Sequence, residues 1–154
     1  MSDQSPFPSI ASELLQTVDA ALPKLRSMSE ADASRPRAPG KWSPKQIIGH
    51  LIDSAANNHH RFVRAQQAAE LTFPPYAQDH WVGCQHYAAR SWDDIVTLWN
   101  AYNRHLAHVI RHIPEDKRNV ACIIESAAPV TLGFLASDYG EHLRHHLAQV
   151  GVSV

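Results

Sequence analysis

The chain has 154 residues and a formal net charge of −1 with histidine neutral. That length is sufficient for one domain with its own hydrophobic core, and we expect a single domain over 1–154. Acidic and basic residues are mixed along the chain. The sequence shows no basic stripe of the kind that binds phosphates, which argues against a nucleic-acid partner. No apolar run approaches the roughly 20 residues that cross a bilayer, which argues against a membrane partner.

The first ten residues, MSDQSPFPSI, lack the charged-then-apolar layout of a signal peptide. The two cysteines, Cys84 and Cys122, do not indicate a disulfide scaffold, and we expect free thiols in a reducing compartment. Together these features predict a soluble, cytoplasmic protein.

Four segments have the apolar spacing that is typical of amphipathic helices. In chain order they cover about 10–27, 44–70, 91–112 and 132–150. Ser43 and Ser91 are good N-caps, and Pro44 suits the first helical position. Pro23 is expected to kink or shorten the first helix.

These helices predict an all-α fold, a four-helix bundle with long inter-helix loops. The segment NVACII, residues 119–124, is a candidate for a short extended piece, but no series of strands indicates a sheet. The connections on either side of the third helix have about 20 residues each, which is long for a simple up-down bundle. Loops of that length often cover a functional site.

Histidine is unusually frequent, with 11 copies in the chain, and three of them fall in EHLRHHLAQV, residues 141–150. His142 and His146 are four residues apart, so they lie on one face of the helix, at the margin of its apolar stripe. His145 points away from that stripe and is expected at the surface. Histidine is the commonest metal ligand, so the pair is a candidate half-site for a metal ion.

The third helix carries a second pair with the same spacing. His108 and His112, with His105, lie opposite the apolar stripe of that helix. We therefore expect all three at the surface, without a role as ligands.

On the second helix, His50 lies at the edge of the apolar face, in line with Ser54, Asn57 and Arg61. A polar strip beside a core face is costly unless it lines a cavity or forms internal hydrogen bonds. Taken alone, His50 is more often a hydrogen-bonded boundary histidine than a ligand. The presence of His142 and His146 makes a shared metal site the better interpretation.

Several fragments together resemble the DinB/YfiT-like family of metal-binding four-helix bundles. They are the Trp-Ser entry to the second helix, GHLID at 49–53, PPYAQDHW at 74–81 and the closing His-x-x-x-His. The resemblance extends from about Trp42 to Val150, and the order and spacing of the fragments carry it.

The resemblance implies that His50, His142 and His146 bind one divalent metal ion, with zinc or nickel the leading candidates. It also implies a small-molecule substrate. The activity most often assigned in the family is transfer of a low-molecular-weight thiol such as bacillithiol, mycothiol or glutathione, and the resemblance implies the same activity here. A hydrolase that uses metal-bound water is the first alternative, and a non-enzymatic metal-binding bundle is the second. Pairing into a homodimer, through the tryptophans of the third helix, is a further expectation.

Three neutral imidazoles leave a coordination position of the metal open to water or to a substrate thiol. The nucleophile therefore need not be a cysteine of the chain, and we interpret Cys84 as an incidental loop residue. Ligand histidines usually donate their second ring nitrogen to a carboxylate or carbonyl, which makes Asp53 and Asp138 candidate partners. The residues expected to border the site are Asn57, Arg61 and Gln149. The loop aromatics Tyr76 and Trp81 either wall a pocket or, as we favour, belong to the core.

Overall fold

The computed structural model describes residues 5–154. The first four residues, which form part of the segment argued above to lack a signal peptide and of the expected domain 1–154, lie outside the described residues. The elements in chain order are α1 (Phe7–Ser27), α2 (Glu30–Ala33), α3 (Pro44–Arg64), β1 (Glu70–Phe73), α4 (Gln78–Cys84), α5 (Trp92–Arg111), β2 (Ala121–Ile124), β3 (Val130–Thr131) and α6 (Leu132–Gln149). Short 3₁₀ turns follow α3, α4 and α5.

The four long helices, α1, α3, α5 and α6, correspond in order to the four predicted helices. They form the bundle, so the prediction of a four-helix fold is confirmed. Helices α1 and α3 each pack against both α5 and α6. The core between them is apolar, and its largest fully buried side chains include Phe7, Leu51, Phe62, Trp99, Leu106 and Leu143. Trp92 and Trp99 of α5 are both buried in this core, so they present no surface through which a second copy would pair.

Local capping sets the register of the two helices that matter for function. The Ser43 hydroxyl accepts from the Gln46 backbone N–H, and the Gln46 side chain accepts from the Ser43 N–H at 2.9 Å. This reciprocal capping box, with a proline at the first position, starts α3 at Pro44. At α6 the Thr131 hydroxyl accepts from the Phe134 N–H at 3.0 Å. The rotational position of every side chain on α3 and α6 follows from these two starts.

Two predicted helix limits were wrong, the start of the first helix and the end of the second. Helix α1 begins at Phe7 rather than near Ile10, whereas its end at Ser27 agrees with the prediction and Pro23 does not shorten it. Helix α3 ends at Arg64 rather than near Glu70, because the chain passes through a 3₁₀ turn and becomes extended from Glu70 onward.

The expectation that no sheet forms was also wrong. β1 pairs in parallel with β2, and β2 pairs antiparallel with β3. The extended piece expected within 119–124 is confirmed as β2. Strands of two to four residues carry too little alternation to be recognised, and β1 and β2 pair across segments far apart in the chain. The sheet ties together the two long loops on either side of α5.

Within residues 5–154, no helix combines the length and apolar character needed to cross a membrane.

Candidate metal centre

Three histidines converge between α3 and α6. His50 lies on the second turn of α3, and His142 and His146 lie towards the end of α6. One ring nitrogen from each lies within 4.8 Å of the others. The ring centroid of His50 is 5.3 Å from that of His142 and 4.7 Å from that of His146. Helical phase therefore led to three side chains that the fold does bring together.

The nitrogen atoms of the α6 pair face each other. Nε2 of His142 and Nε2 of His146 are 3.1 Å apart. Two imidazole nitrogens that bind one tetrahedral ion at 2.0–2.1 Å are themselves separated by about 3.3 Å. The observed separation is therefore close to the one that a shared ion requires.

Gln149 sets the orientation of His146. Nδ1 of His146 is 2.8 Å from the Gln149 side-chain oxygen. That oxygen only accepts, so Nδ1 carries the proton and Nε2 presents its lone pair towards His142. From the sequence, Gln149 was expected only to border the site and contact substrate, so its role in orienting His146 was missed. The two residues are three apart on one helix, and that spacing could have indicated the contact.

His50 supplies an independent test of whether a metal ion fits. It is 1% exposed, and both of its ring nitrogens are buried without a hydrogen-bond partner among the described residues. The Trp42 ring covers it, with centroids 5.2 Å apart. Buried polar atoms without partners are rare and costly. An ion shared with the α6 pair satisfies one of these nitrogens, so the three residues fit a divalent metal.

The environment keeps the three rings neutral. Burial, followed by the neighbouring histidines, lowers the pKa of His50 and of His142 to about 4. Burial also lowers the pKa of His146, and the hydrogen bond to Gln149 opposes that change. Only the neutral imidazole has a lone pair for a metal, so the site is ready to bind an ion at neutral pH.

Asp53, one of the two candidate carboxylate partners, faces the loop rather than the histidines. Its Oδ1 accepts from the Tyr87 hydroxyl at 2.7 Å and from the Gln85 amide at 2.7 Å, whereas Oδ2 has no partner. Burial raises the pKa of Asp53, and these two hydrogen bonds oppose the rise. Tyr87 reaches this position because residue 49 is glycine: a Cβ there would lie 2.3 Å from the Tyr87 ring. Asp53 therefore fastens the loop onto α3.

Asp138, the other candidate, is exposed, and no hydrogen bond joins it to a histidine within residues 5–154. The loop aromatics also differ from expectation. Tyr76 and Trp81 are half-buried, with ring centroids 5.5 Å apart, and neither belongs to the buried core that we favoured for them. Tyr76 lines a cavity together with His142.

Two cavities flank the histidine cluster. The larger, of about 540 Å³, opens beside His146, and the smaller, of about 140 Å³, opens beside His142. The larger is lined by Arg37, Lys41, Trp42, Gln78, Asp79 and Gln149, among others. Sequence reasoning missed Arg37 and Lys41, and their only signal was proximity to the Trp-Ser entry of α3. The long loop after α3 contributes to both cavities, as expected of a loop that covers a site.

The remaining predictions about histidine and cysteine concern exposure. The four histidines expected at the surface are exposed, namely His105, His108, His112 and His145. Both cysteines are free, with Cys84 exposed and Cys122 buried. In the described part of the chain, the three-histidine group is the one cluster of potential ligands with metal-binding geometry.

Comparisons with known proteins place this site in context. Residues 13–150 match the model of the DinB superfamily. A protein from Bacillus mycoides (strain KBAB4), named as a proposed metal-dependent hydrolase, is 23% identical over 126 residues, which cover 82% of this chain and 72% of that protein.

Two solved structures share the fold. YfiT from Bacillus subtilis, described as a proposed metal-dependent hydrolase with an unusual four-helix bundle topology, superposes with a TM-score of 0.79 at 18% identity, over 92% of this chain and 83% of that one. The mycothiol-dependent maleylpyruvate isomerase superposes with a TM-score of 0.78 at 14% identity, over 96% of this chain. This chain spans only 61% of the isomerase. Because the family model covers most of its length, the protein belongs to the DinB superfamily.

Proposed function

We propose that the protein binds one divalent metal ion through His50, His142 and His146 and transfers a low-molecular-weight thiol to an electrophilic small molecule. The supporting observation is that three histidine ligand atoms lie within 4.8 Å of one another, while no Cys, Asp or Glu within residues 5–154 joins them as a fourth. Catalytic zinc sites have three protein ligands and an open position, whereas structural sites are closed by four. When bound, zinc or nickel supplies an open position that favours the thiolate form of a thiol.

The residues of the chain hold and shield this centre. Gln149 holds His146 in the tautomer whose Nε2 faces the cluster. Trp42 covers His50 and keeps water from its ring nitrogens. All three rings are neutral, so they do not offset the charge of the ion. This leaves the centre strongly electrophilic.

The surroundings favour a thiol over water as the nucleophile. Hydrolysis of an ester or amide usually depends on a positioned general acid or base. Among the described residues, no carboxylate hydrogen-bonds a site histidine: Asp53 is held by Tyr87 and Gln85, and Asp138 is exposed. A thiol, with an ordinary pKa of about 8.5, needs only to lose its proton to become a strong nucleophile.

The larger cavity provides room for such a thiol. Its volume is about 540 Å³, and it adjoins His146. Arg37 and Lys41 line it, and neither forms an ion pair in the described part of the chain. In the transfer, the thiol sulfur forms a bond to the electrophilic carbon, the leaving group departs with its electron pair, and the thiol proton goes to solvent.

The test is a kinetic assay of metal-loaded protein with 1-chloro-2,4-dinitrobenzene and a panel of low-molecular-weight thiols. Turnover is expected to require both metal and thiol and to be lost in His146→Ala. His108→Ala, which removes an exposed histidine with the same spacing to its neighbour, should retain full activity. Product release that is independent of added thiol would contradict the proposal.

A hydrolase is the second candidate, because the Bacillus mycoides relative and YfiT are both described as proposed metal-dependent hydrolases. It predicts metal-dependent cleavage of p-nitrophenyl esters without thiol, at a rate that falls with His146→Ala. If ester cleavage is unaffected by removal of the metal, this alternative is excluded.

A further inference from the structure

A buried arginine lines the smaller cavity beside His142. Arg61 is only 8% exposed, on the core-facing side of α3, three turns beyond His50. The cavity of about 140 Å³ that it shares with His142 is otherwise bordered by Ser54, Asn58, Tyr76 and Asp138, among others. Most buried arginines in proteins are paired with a carboxylate, because the charge is costly to remove from water.

Arg61 has no such partner here. Within residues 5–154 its side chain forms neither a salt bridge nor a hydrogen bond. Burial lowers the pKa of Arg61, and the groups that oppose this are Tyr76 and Cys122 rather than a carboxylate. The guanidinium nevertheless stays charged, because an arginine side chain is not deprotonated in proteins.

The nearby polar groups do not compensate for this charge. The Asn58 side-chain NH2 donates to the Ser54 backbone carbonyl at 2.9 Å and to the Ser54 hydroxyl at 3.3 Å, and neither Asn58 nor Ser54 carries a charge that could balance Arg61. Asp53 is held by Tyr87 and Gln85. Asp138 borders the cavity, but it is exposed and does not approach Arg61 to ion-pair distance. The cavity thus holds a buried cation, and no carboxylate of the described residues lies within ion-pair distance of it.

The histidine cluster offers no negative charge to balance Arg61. Its three rings are neutral, so a bound divalent ion would contribute positive charge to the same region. A planar guanidinium presents two parallel N–H donors that match the two oxygens of a carboxylate. A ligand that completes this site is therefore a small carboxylate.

We propose that Arg61 binds the carboxylate of the small molecule on which the centre acts, in the cavity that Arg61 shares with His142. The inference rests on the proposed function for the identity of that molecule as a substrate. Anion binding by Arg61 itself can be measured without turnover. The small volume of the cavity restricts the bound portion to a short carboxylate-bearing segment.

The test is a titration of ¹⁵N-labelled protein with propionate, with and without zinc, that follows the Nε–Hε resonance of Arg61. Propionamide, a neutral molecule of the same shape, is the matched ligand control. Propionate should shift the Arg61 resonance in both forms of the protein, and propionamide should not. If propionate leaves this resonance unmoved, or if propionamide moves it equally, the proposal is overturned.

Variants give the second readout. Arg61→Gln should raise the dissociation constant of propionate at least about tenfold, because a charge-assisted hydrogen-bonded pair is lost. Arg61→Lys keeps the charge without the paired donors and should give an intermediate value. Arg64→Gln removes the same charge from the exposed side of α3 and should have no effect. Equal affinity in wild type and Arg61→Gln would contradict the proposal.

The zinc content of each sample separates the two proposals. If the protein holds no zinc, the proposed metal-dependent function fails, while the metal-free titration still reports on Arg61. If zinc binds normally but Arg61→Gln and wild type bind propionate equally, only the carboxylate inference fails.

Discussion

Two histidine pairs with the same spacing differ in what surrounds them. On α6, His142 and His146 have ring centroids 4.5 Å apart, and on α5, His108 and His112 have centroids 4.4 Å apart. The α6 pair is half-buried and faces His50 of α3. The α5 pair is exposed, and Nδ1 of His112 donates to the His108 carbonyl at 2.8 Å.

The comparison shows that i,i+4 spacing supplies two donors but does not make a site. The third donor comes from a different helix, and burial removes the water that would otherwise satisfy the ring nitrogens. On α5 neither condition is met in the described part of the chain. We therefore attribute the proposed metal site to the contact between α3 and α6 rather than to either histidine pair alone.

Removing the third donor should have the largest effect. His50→Ala is expected to lower the affinity for zinc by more than about 100-fold, beyond the 10–100-fold that loss of an outer partner costs. Competition with a chromogenic chelator measures this. The matched control is His112→Ala on α5, for which zinc affinity should equal that of wild type. A large loss of zinc affinity in His112→Ala, with no loss in His50→Ala, would show that the α5 pair rather than the α3–α6 cluster binds zinc.

A smaller effect is expected when the orientation of one ring is released. Gln149→Leu removes the acceptor that fixes the tautomer of His146. Zinc affinity should fall about tenfold, the lower end of the effect of outer-shell partners. The measurement is the same competition titration. An unchanged affinity would show that His146 needs no help from Gln149.

The platform that carries His50 can be disturbed without altering a histidine. Gly49→Ala places a methyl group 2.3 Å from the Tyr87 ring, which must move away from Asp53. Overpacking of this kind lowers the free energy of unfolding by about 1–3 kcal/mol, and the better helix propensity of alanine offsets part of that. Gly83→Ala is the control, because nothing lies within 4 Å of its added Cβ. Urea denaturation of both variants measures the difference, and equal stability would contradict close packing at Gly49.

Acidification of the metal-free protein tests whether the buried histidines are neutral. Burial, followed by the neighbouring histidines, lowers the folded-state pKa of His50 and of His142 to about 4, below the ordinary histidine pKa of about 6.5. Between pH 6.5 and pH 4 the unfolded state binds protons that the folded state does not. The contribution of these two neutral histidines to the free energy of unfolding is therefore complete above pH 6.5 and is lost as the pH falls towards 4. We expect a loss of at least about 1.4 kcal/mol, the equivalent of one pKa unit. The loss should be smaller in His50→Ala, and an identical pH profile in both proteins would count against buried neutral histidines.

Much of this centre follows from local rules. Helical phase, read from apolar residues, placed His50, His142 and His146 beside their core faces and His108 and His112 away from theirs. Helical phase predicts these directions well because Ser43 and Thr131 cap α3 and α6 and so fix where the two helices that carry the cluster begin. The pairing of α3 with α6 was implied only by the family resemblance.

What could not be read from the sequence depends on contacts between distant segments. β1 and β2 pair across about 50 residues, which no local pattern reveals. The contact between Asp53 and Tyr87 spans 34 residues. Arg61 was expected at the edge of the site, but its lack of a partner is visible only once every neighbour is placed.

The most direct test of the centre is anomalous diffraction from crystals of untagged protein grown with zinc, with data collected on both sides of the zinc absorption edge. We predict one strong peak between α3 and α6, about 2.0–2.1 Å from one ring nitrogen of each of His50, His142 and His146. A peak at His108 and His112 instead, or no peak near His50, would contradict the assignment.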